Sequence, residues 1–152
     1  MTAQLGPTYV AGVKILESCS QINSEKNIII SDALQIILWY FNDCGIRNYI
    51  LGDWRPLDMR GPLETGHLWE NYLVAERAKW RLVHEPETLD FFWRTVRQQE
   101  VDMVEKSASG LKAFEFKWNP RKGGITIPRT FRAAYPDADC RTITPNDILE
   151  FL

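Results

Sequence analysis

Three short extended segments in succession, Leu89–Arg94, Glu100–Glu105 and Leu111–Trp118, constrain the fold of this chain more than any other feature. All three are rich in β-branched or aromatic residues, which suit a pleated, half-buried surface. The links between them, Thr95–Gln99 and Lys106–Gly110, are polar and of hairpin length, so an antiparallel meander is expected. A helical pattern comes just before. Thr65 is a good N-cap, and Leu68, Trp69, Tyr72 and Leu73 recur at helical spacing, which predicts a helix over residues 66–82. After the Pro/Gly-rich break at Asn119–Gly124, residues 126–135 read as helical and Cys140–Ile143 as a strand. Asn146 reads as the cap of a final helix ending at Leu152. The order helix, three strands, helix, strand makes a small α/β (α+β) unit, a central sheet containing an antiparallel meander and flanked by helices.

The first sixty residues are less sharply patterned. In residues 8–19, Val10, Val13 and Leu16 fall on one helical stripe, which predicts a short helix. Ile28–Ile29–Ile30 reads as a strand after the turn-forming run Asn23–Asn27. Ile36–Phe41 fits either a buried strand or the end of a helix. Pro56, Pro62, Gly52 and Gly61 mark residues 52–62 as an irregular connection. Asp43 reads as a cap or turn residue and carries no catalytic role. At 152 residues the whole is expected to be one domain, with residues 1–60 as an N-terminal lead-in packed on a 65–152 core of order αβββαβ.

Composition narrows the function classes. Three cysteines, Cys19, Cys44 and Cys140, are widely spaced and odd in number, against a disulfide framework and in favour of a reducing, cytoplasmic setting. The longest apolar run, Ile36–Phe41, is far too short to span a bilayer, so no membrane partner is expected. The two histidines, His67 and His84, do not form a ligand pair at helical spacing. Any metal would therefore be held by oxygen ligands, which suits Mg²⁺ or Mn²⁺ rather than zinc. A net charge of −2 and a pI near 5.7 argue against a stand-alone, high-affinity nucleic-acid binder. No G-x-x-x-x-G-K-[ST] loop occurs, so the chain is not expected to hydrolyse ATP on its own.

Residues two apart on a strand point the same way, so Glu115 and Lys117 project together while Phe114 and Phe116 face a packed layer. On the preceding strand Asp102 is expected to share its face with Glu100 and Val104, opposite Val101 and Met103. A meander register brings Asp102 beside Glu115. Two carboxylates and an ammonium on one sheet face are costly to bury unless paired or bound to metal. A divalent cation between Asp102 and Glu115 would compensate them, with Lys117 near enough to orient or stabilise an attacking hydroxide. Glu70, on the preceding helix, can reach the same place as an outer ligand or water-holder.

The pattern Glu70, Asp102, Glu115–Phe116–Lys117 resembles the PD-(D/E)XK nuclease superfamily. Gly66–Val74, Phe92–Thr95, Glu100–Val104 and Phe114–Lys117, with the upstream Tyr40–Asn48, are similar to one branch of it. That branch is the C-terminal domain found behind the ATPase module and winged helix of archaeal and bacterial AAA-type ATPases. The resemblance runs from about Trp39 to Trp118. It implies a restriction-endonuclease-like core with a mixed sheet, Asp102 and Glu115 as metal ligands, Lys117 as the catalytic lysine and Glu70 as the helix acidic residue. It further implies Arg94 as a phosphate-contacting cation at the rim, and an AAA-type ATPase module as partner in cis or trans. This chain has Trp39 where that family's segment usually opens on a polar residue.

Plainer readings stand beside these. Glu115-x-Lys117 alone is commonplace on a solvated strand face, and it gains specificity only with Asp102 and Glu70 in order. Phe91–Phe92–Trp93, Trp69, Trp80 and Trp118 read as packing, and Arg121, Lys122, Arg129 and Arg132 as a solvated face or a phosphate-facing patch. Two function classes follow: a Mg²⁺-dependent phosphodiesterase acting on nucleic acid, or a catalytically inactive nuclease-fold module that docks to an ATPase or to nucleic acid.

Overall fold

A computed structural model describes the backbone of residues 9–10, 13–19, 21–22, 29–30, 37–95, 97–119 and 127–152, with side chains from residue 38 onward. Its centre is the expected meander. Strands β6 (Leu89–Arg94), β7 (Glu100–Ser107) and β8 (Gly110–Phe116) pair antiparallel in chain order. The β7–β8 turn is tight, and Gly110 takes φ 119°, a conformation that favours glycine. A further strand, β9 (Asp139–Ile143), adds parallel to β8, which makes the sheet mixed.

The lead-in extends this sheet instead of packing a helix on it. Residues expected to be helical form β1 (Tyr9–Val10) and β2 (Val13–Cys19). β2 runs parallel to β6 and antiparallel to β5 (Ile37–Phe41), so Ile36–Phe41 resolves as a strand. The run Val13–Lys14–Ile15–Leu16 is β-branched enough for either form, and pairing with β5 and β6 decides it. A separate small ladder joins β3 (Gln21–Ile22) to β4 (Ile29–Ile30), which holds part of the expected Ile28–Ile30 strand. Ile28, Ile36 and the basic residues Arg121 and Lys122 lie outside the described residues.

Helix α1 (Cys44–Leu51) starts where Asp43 Oδ1 accepts the Ile46 N–H at 2.9 Å, the capping role expected of Asp43. It stops at Gly52, whose φ of 63° lets its N–H turn back to the helix carbonyls. After a single 3₁₀ turn, α2 (Pro62–His84) begins four residues before the expected start. Gly61 is its N-cap and Pro62, with φ preset, opens it. Thr65 lies inside the first turn, where its hydroxyl donates to the Gly61 carbonyl at 3.1 Å. Two short helices, α3 (Arg129–Ala134) and α4 (Ile148–Phe151), complete the chain. Asp147, not Asn146, precedes α4, and its carboxylate binds the Thr144 N–H and hydroxyl at 2.9 and 2.6 Å.

Each sheet face carries its own core. Trp69, Leu73 and Val74 of α2 pack on Phe92, Met103, Phe114, Phe116 and Ile143, closed by Tyr40 and Phe151. On the other face Phe131 of α3 packs on Phe91, Trp93, Val101, Val104 and Ala113. The result is a three-layer α/β domain with a mixed sheet between helices. Beneath α2 a buried ion network ties the layers. Arg77 grips Glu105 at 2.8 and 3.0 Å and donates to the Phe151 carbonyl at 2.6 Å, while Arg81 pairs with Asp90 and lies 3.3 Å from Glu105. Among the described residues no helix is long and apolar enough to cross a membrane.

Candidate functional site

The chemistry expected at Asp102, Glu115, Lys117 and Glu70 gathers at one end of the sheet, and a register break makes room for it. Between the pairs Phe91–Val104 and Trp93–Val101, β6 advances two residues while β7 advances three. The additional residue is a bulge at Asp102–Met103. It places Val101 and Val104 on the same face, and Met103 on the other, so the strict alternation expected for this strand is corrected there. It also falls where the β7–β8 ladder ends at Met103–Phe114. Asp102 is the next residue outward, and its Oδ2 accepts the main-chain N–H of Phe116 at 2.7 Å. Phe114 and Phe116 share the α2-side core as expected.

Glu115 is buried, at 4% exposure. Its Oε1 accepts from Lys117 Nζ at 2.6 Å, and its Oε2 is buried with no partner. Glu70 reaches in from α2 and accepts from the Tyr40 hydroxyl at 2.5 Å. One helix position on, Asn71 clasps the backbone of Phe41, accepting its N–H at 2.9 Å and donating to its carbonyl at 2.8 Å. These contacts sew β5 to α2 and hold Glu70 in place. Tyr40 and Asn71 lie within the segments that carry the family resemblance, Tyr40–Asn48 and Gly66–Val74, but local spacing assigns neither a role. Their contacts span thirty positions, and local spacing cannot reveal them.

The electrostatics follow from this crowding. Burial, then the charges of Glu115 and Glu70, push Asp102 up to about 8. Burial likewise raises Glu70 and Glu115, against the opposing pull of Tyr40 on the first and Lys117 on the second. Burial alone would lower Lys117, but its hydrogen bond to Glu115 and the charges of Glu115, Asp102 and Glu70 outweigh it, and the ammonium ends above its ordinary value. Lys117 is therefore a fixed cation at neutral pH rather than a proton acceptor. Burial and the neighbouring Glu70 also hold the Tyr40 phenol protonated.

Arg94 sits at the edge of this region. Its Nε is 3.1 Å from Glu100 Oε1, and Nη2 donates to Gln98, so its guanidinium is engaged within its own hairpin. Among the described residues, no three His, Cys, Asp or Glu side chains are grouped closely enough to form a ready-made metal cage. Asp102 and the orphaned Oε2 of Glu115 nonetheless offer carboxyl oxygens, the donor type that hard cations take.

The family profile described as "Domain of unknown function (DUF4143)" matches residues 65–148, which cover α2 from its fourth residue on, the meander, α3 and β9. The chain belongs to the DUF4143 family. The matched span contains Glu70, Arg94, Asp102, Glu115 and Lys117, whereas Tyr40, the partner of Glu70, lies upstream of it. Neither curated proteins nor solved structures give a match.

Proposed function

We propose that this chain is a nuclease-type domain on a restriction-endonuclease-like core, hydrolysing phosphodiester bonds of nucleic acid with Mg²⁺ or Mn²⁺. One observation carries the reading. Glu115 Oε2 is buried without a partner beside an Asp102 carboxyl that burial, and then its acidic neighbours, push far above its ordinary value. A buried carboxylate lacking a partner is costly, and native proteins keep such a group where something else is to be bound. Asp102 and Glu115 would hold the ion, which when bound lowers the pKa of a water molecule and polarises the phosphate.

The chain's own residues supply the rest. Lys117, held protonated, offers an ammonium to the charge that builds on phosphate oxygens during displacement. Glu70, positioned by Tyr40, is the acceptor for water near the same point. Arg94 contacts phosphate at the rim once it exchanges Glu100 or Gln98 for the substrate. The resemblance to the domain behind AAA-type ATPases supports a partner ATPase module in cis or trans, and a cytoplasmic setting.

A second reading is the catalytically inactive docking module, favoured by the absence of a three-carboxylate group among the described residues. The test is a Mn²⁺ and Mg²⁺ titration beside cleavage of single-stranded, double-stranded and branched DNA and of RNA. Metal binding lost in Asp102→Asn, with cleavage lost in Lys117→Ala, supports the enzyme. Neither metal response nor cleavage, even with the ATPase partner present, leaves the docking module.

A further inference from the structure

Charge is matched unevenly over this chain. Its net charge is −2, and most of its arginines are neutralised where they stand. Arg55, Arg60, Arg77, Arg81, Arg94 and Arg141 each meet a carboxylate. Arg97, Arg129 and Arg132 do not. All three are exposed, and among the described residues none of them is paired with an acidic side chain.

The fold gathers these three at the sheet end that carries the candidate site. Arg97 stands on the β6–β7 turn, which the Gln98 N–H to Thr95 carbonyl and Thr95 N–H to Gln99 carbonyl bonds close, both at 2.9 Å. The Thr130 hydroxyl donates to Gln99 Oε1 at 2.8 Å, and Phe131 meets Trp93 edge-on at 5.3 Å between ring centroids. These contacts seat the start of α3 against the turn, so Arg129 adjoins it. Arg132 follows one helical turn on. Burial raises the Cys140 thiol and the charge of Arg132 opposes it, which places Arg132 near β9. Ala113 of β8 faces the α3 core, so Glu115 and Lys117, two and four residues on, project to that same sheet face.

We propose that Arg97, Arg129 and Arg132 form a track that holds the sugar–phosphate backbone of a nucleic-acid strand and leads it to Lys117. Guanidinium groups match phosphate oxygens in pairs, and arginines without a carboxylate surrender no ion pair when phosphate arrives. A nucleic-acid backbone repeats its anionic groups along a line, as Arg132, Arg129 and Arg97 repeat their cations. The acidic residues at this end do not oppose it: Glu100 is paired with Arg94, and Glu115 is buried. Three contacts suit the modest affinity of an acidic chain, since backbone binding grows with the number of phosphates neutralised. The destination at Lys117 rests on the nuclease reading, whereas binding along the track does not.

The test is fluorescence anisotropy of labelled single- and double-stranded oligonucleotides with the full chain, in EDTA and over a range of salt, so that binding is read without cleavage. Arg97→Gln, Arg129→Gln and Arg132→Gln should each weaken binding roughly five- to eightfold at about 0.1 M salt and flatten the log–log salt slope by about 0.7–0.9. Arg141→Gln is the control, because Arg141 lies on the opposite sheet face and pairs with Asp139. It should bind as the wild type does. Melting curves confirm that each variant folds. A wild type that does not bind overturns the proposal. So do track variants that bind as the wild type does, an equal loss in Arg141→Gln, or polyglutamate of equal charge bound as tightly, which would mark a face for acidic protein. Cleavage with Mg²⁺ is measured separately. Salt-dependent binding through these arginines without cleavage keeps the track and removes the nuclease reading, whereas cleavage undiminished in all three variants removes the track and keeps that reading.

Discussion

The main-chain N–H of Phe116 donates to the Asp102 carboxylate at 2.7 Å, just past the point where the β7–β8 ladder stops. A side chain here takes the place of the next rung. The bulge at Asp102–Met103 makes this possible, and it delivers the carboxylate to the sheet end where Glu115 and Glu70 already stand. The same bond that steadies Asp102 therefore holds it among like charges.

That arrangement sets a pH dependence. Asp102 is raised up to about 8 in the folded chain, against about 4 when unfolded. The unfolded state releases its proton first, so the stabilisation is complete below about pH 4 and is lost as pH rises through 8. Wild-type melting temperature should fall between mildly acidic pH and pH 9 without divalent ions. Asp102→Asn keeps an oxygen for the Phe116 N–H while removing the charge. It should flatten that fall and raise the melting temperature near pH 9 by roughly several degrees. A variant that melts below wild type at pH 9 would show that the carboxylate is not under strain.

Asn71→Ala should cost about 2–3 kcal/mol, because it leaves both the N–H and the carbonyl of Phe41 without their partner. Denaturant unfolding gives the magnitude, and faster exchange of the Phe41 amide gives the location. A loss below about 0.5 kcal/mol, the range of an ordinary surface change, would mean that the clasp does not hold β5 to α2.

How much of this was legible beforehand depends on how local each feature is. The meander and α2 show in the sequence because short polar links and helical spacing are properties of neighbouring residues. Residues 13–19 do not, since Val13, Lys14, Ile15 and Leu16 satisfy a helical stripe as well as a strand, and only pairing with distant β5 and β6 selects the strand. The bulge is equally hidden: Glu100–Val101–Asp102–Met103–Val104 reads as unbroken alternation. The order Glu70, Asp102, Glu115, Lys117 was legible, but the Tyr40–Glu70 contact and the Arg77–Glu105 pair join segments far apart in the chain.

Arg77→Met should destabilise by about 3 kcal/mol or more, because Glu105, 1% exposed, would then keep only the more distant Arg81. Adding Glu105→Leu should restore a substantial part of that loss, since the uncompensated charge is gone. Equilibrium denaturation of the single and double variants measures the coupling. Additive losses would show that the two side chains do not act as a pair.

Lys117→Met removes the cation from Glu115 Oε1 and leaves a buried carboxylate with no partner on either oxygen. A loss of about 1–2 kcal/mol is expected at pH 8 without metal, reduced because Lys117 is partly exposed. Much of it should return on adding Mn²⁺. Equal losses with and without Mn²⁺ would separate Glu115 from any ion.

The most direct test of the central claim is calorimetric titration of Mn²⁺ into the wild type, Asp102→Asn and Lys117→Ala, with cleavage of a labelled oligonucleotide followed on the same samples. The account predicts saturable binding and cleavage by the wild type, neither in Asp102→Asn, and binding without cleavage in Lys117→Ala. Binding undiminished in Asp102→Asn, or cleavage undiminished in Lys117→Ala, would contradict it.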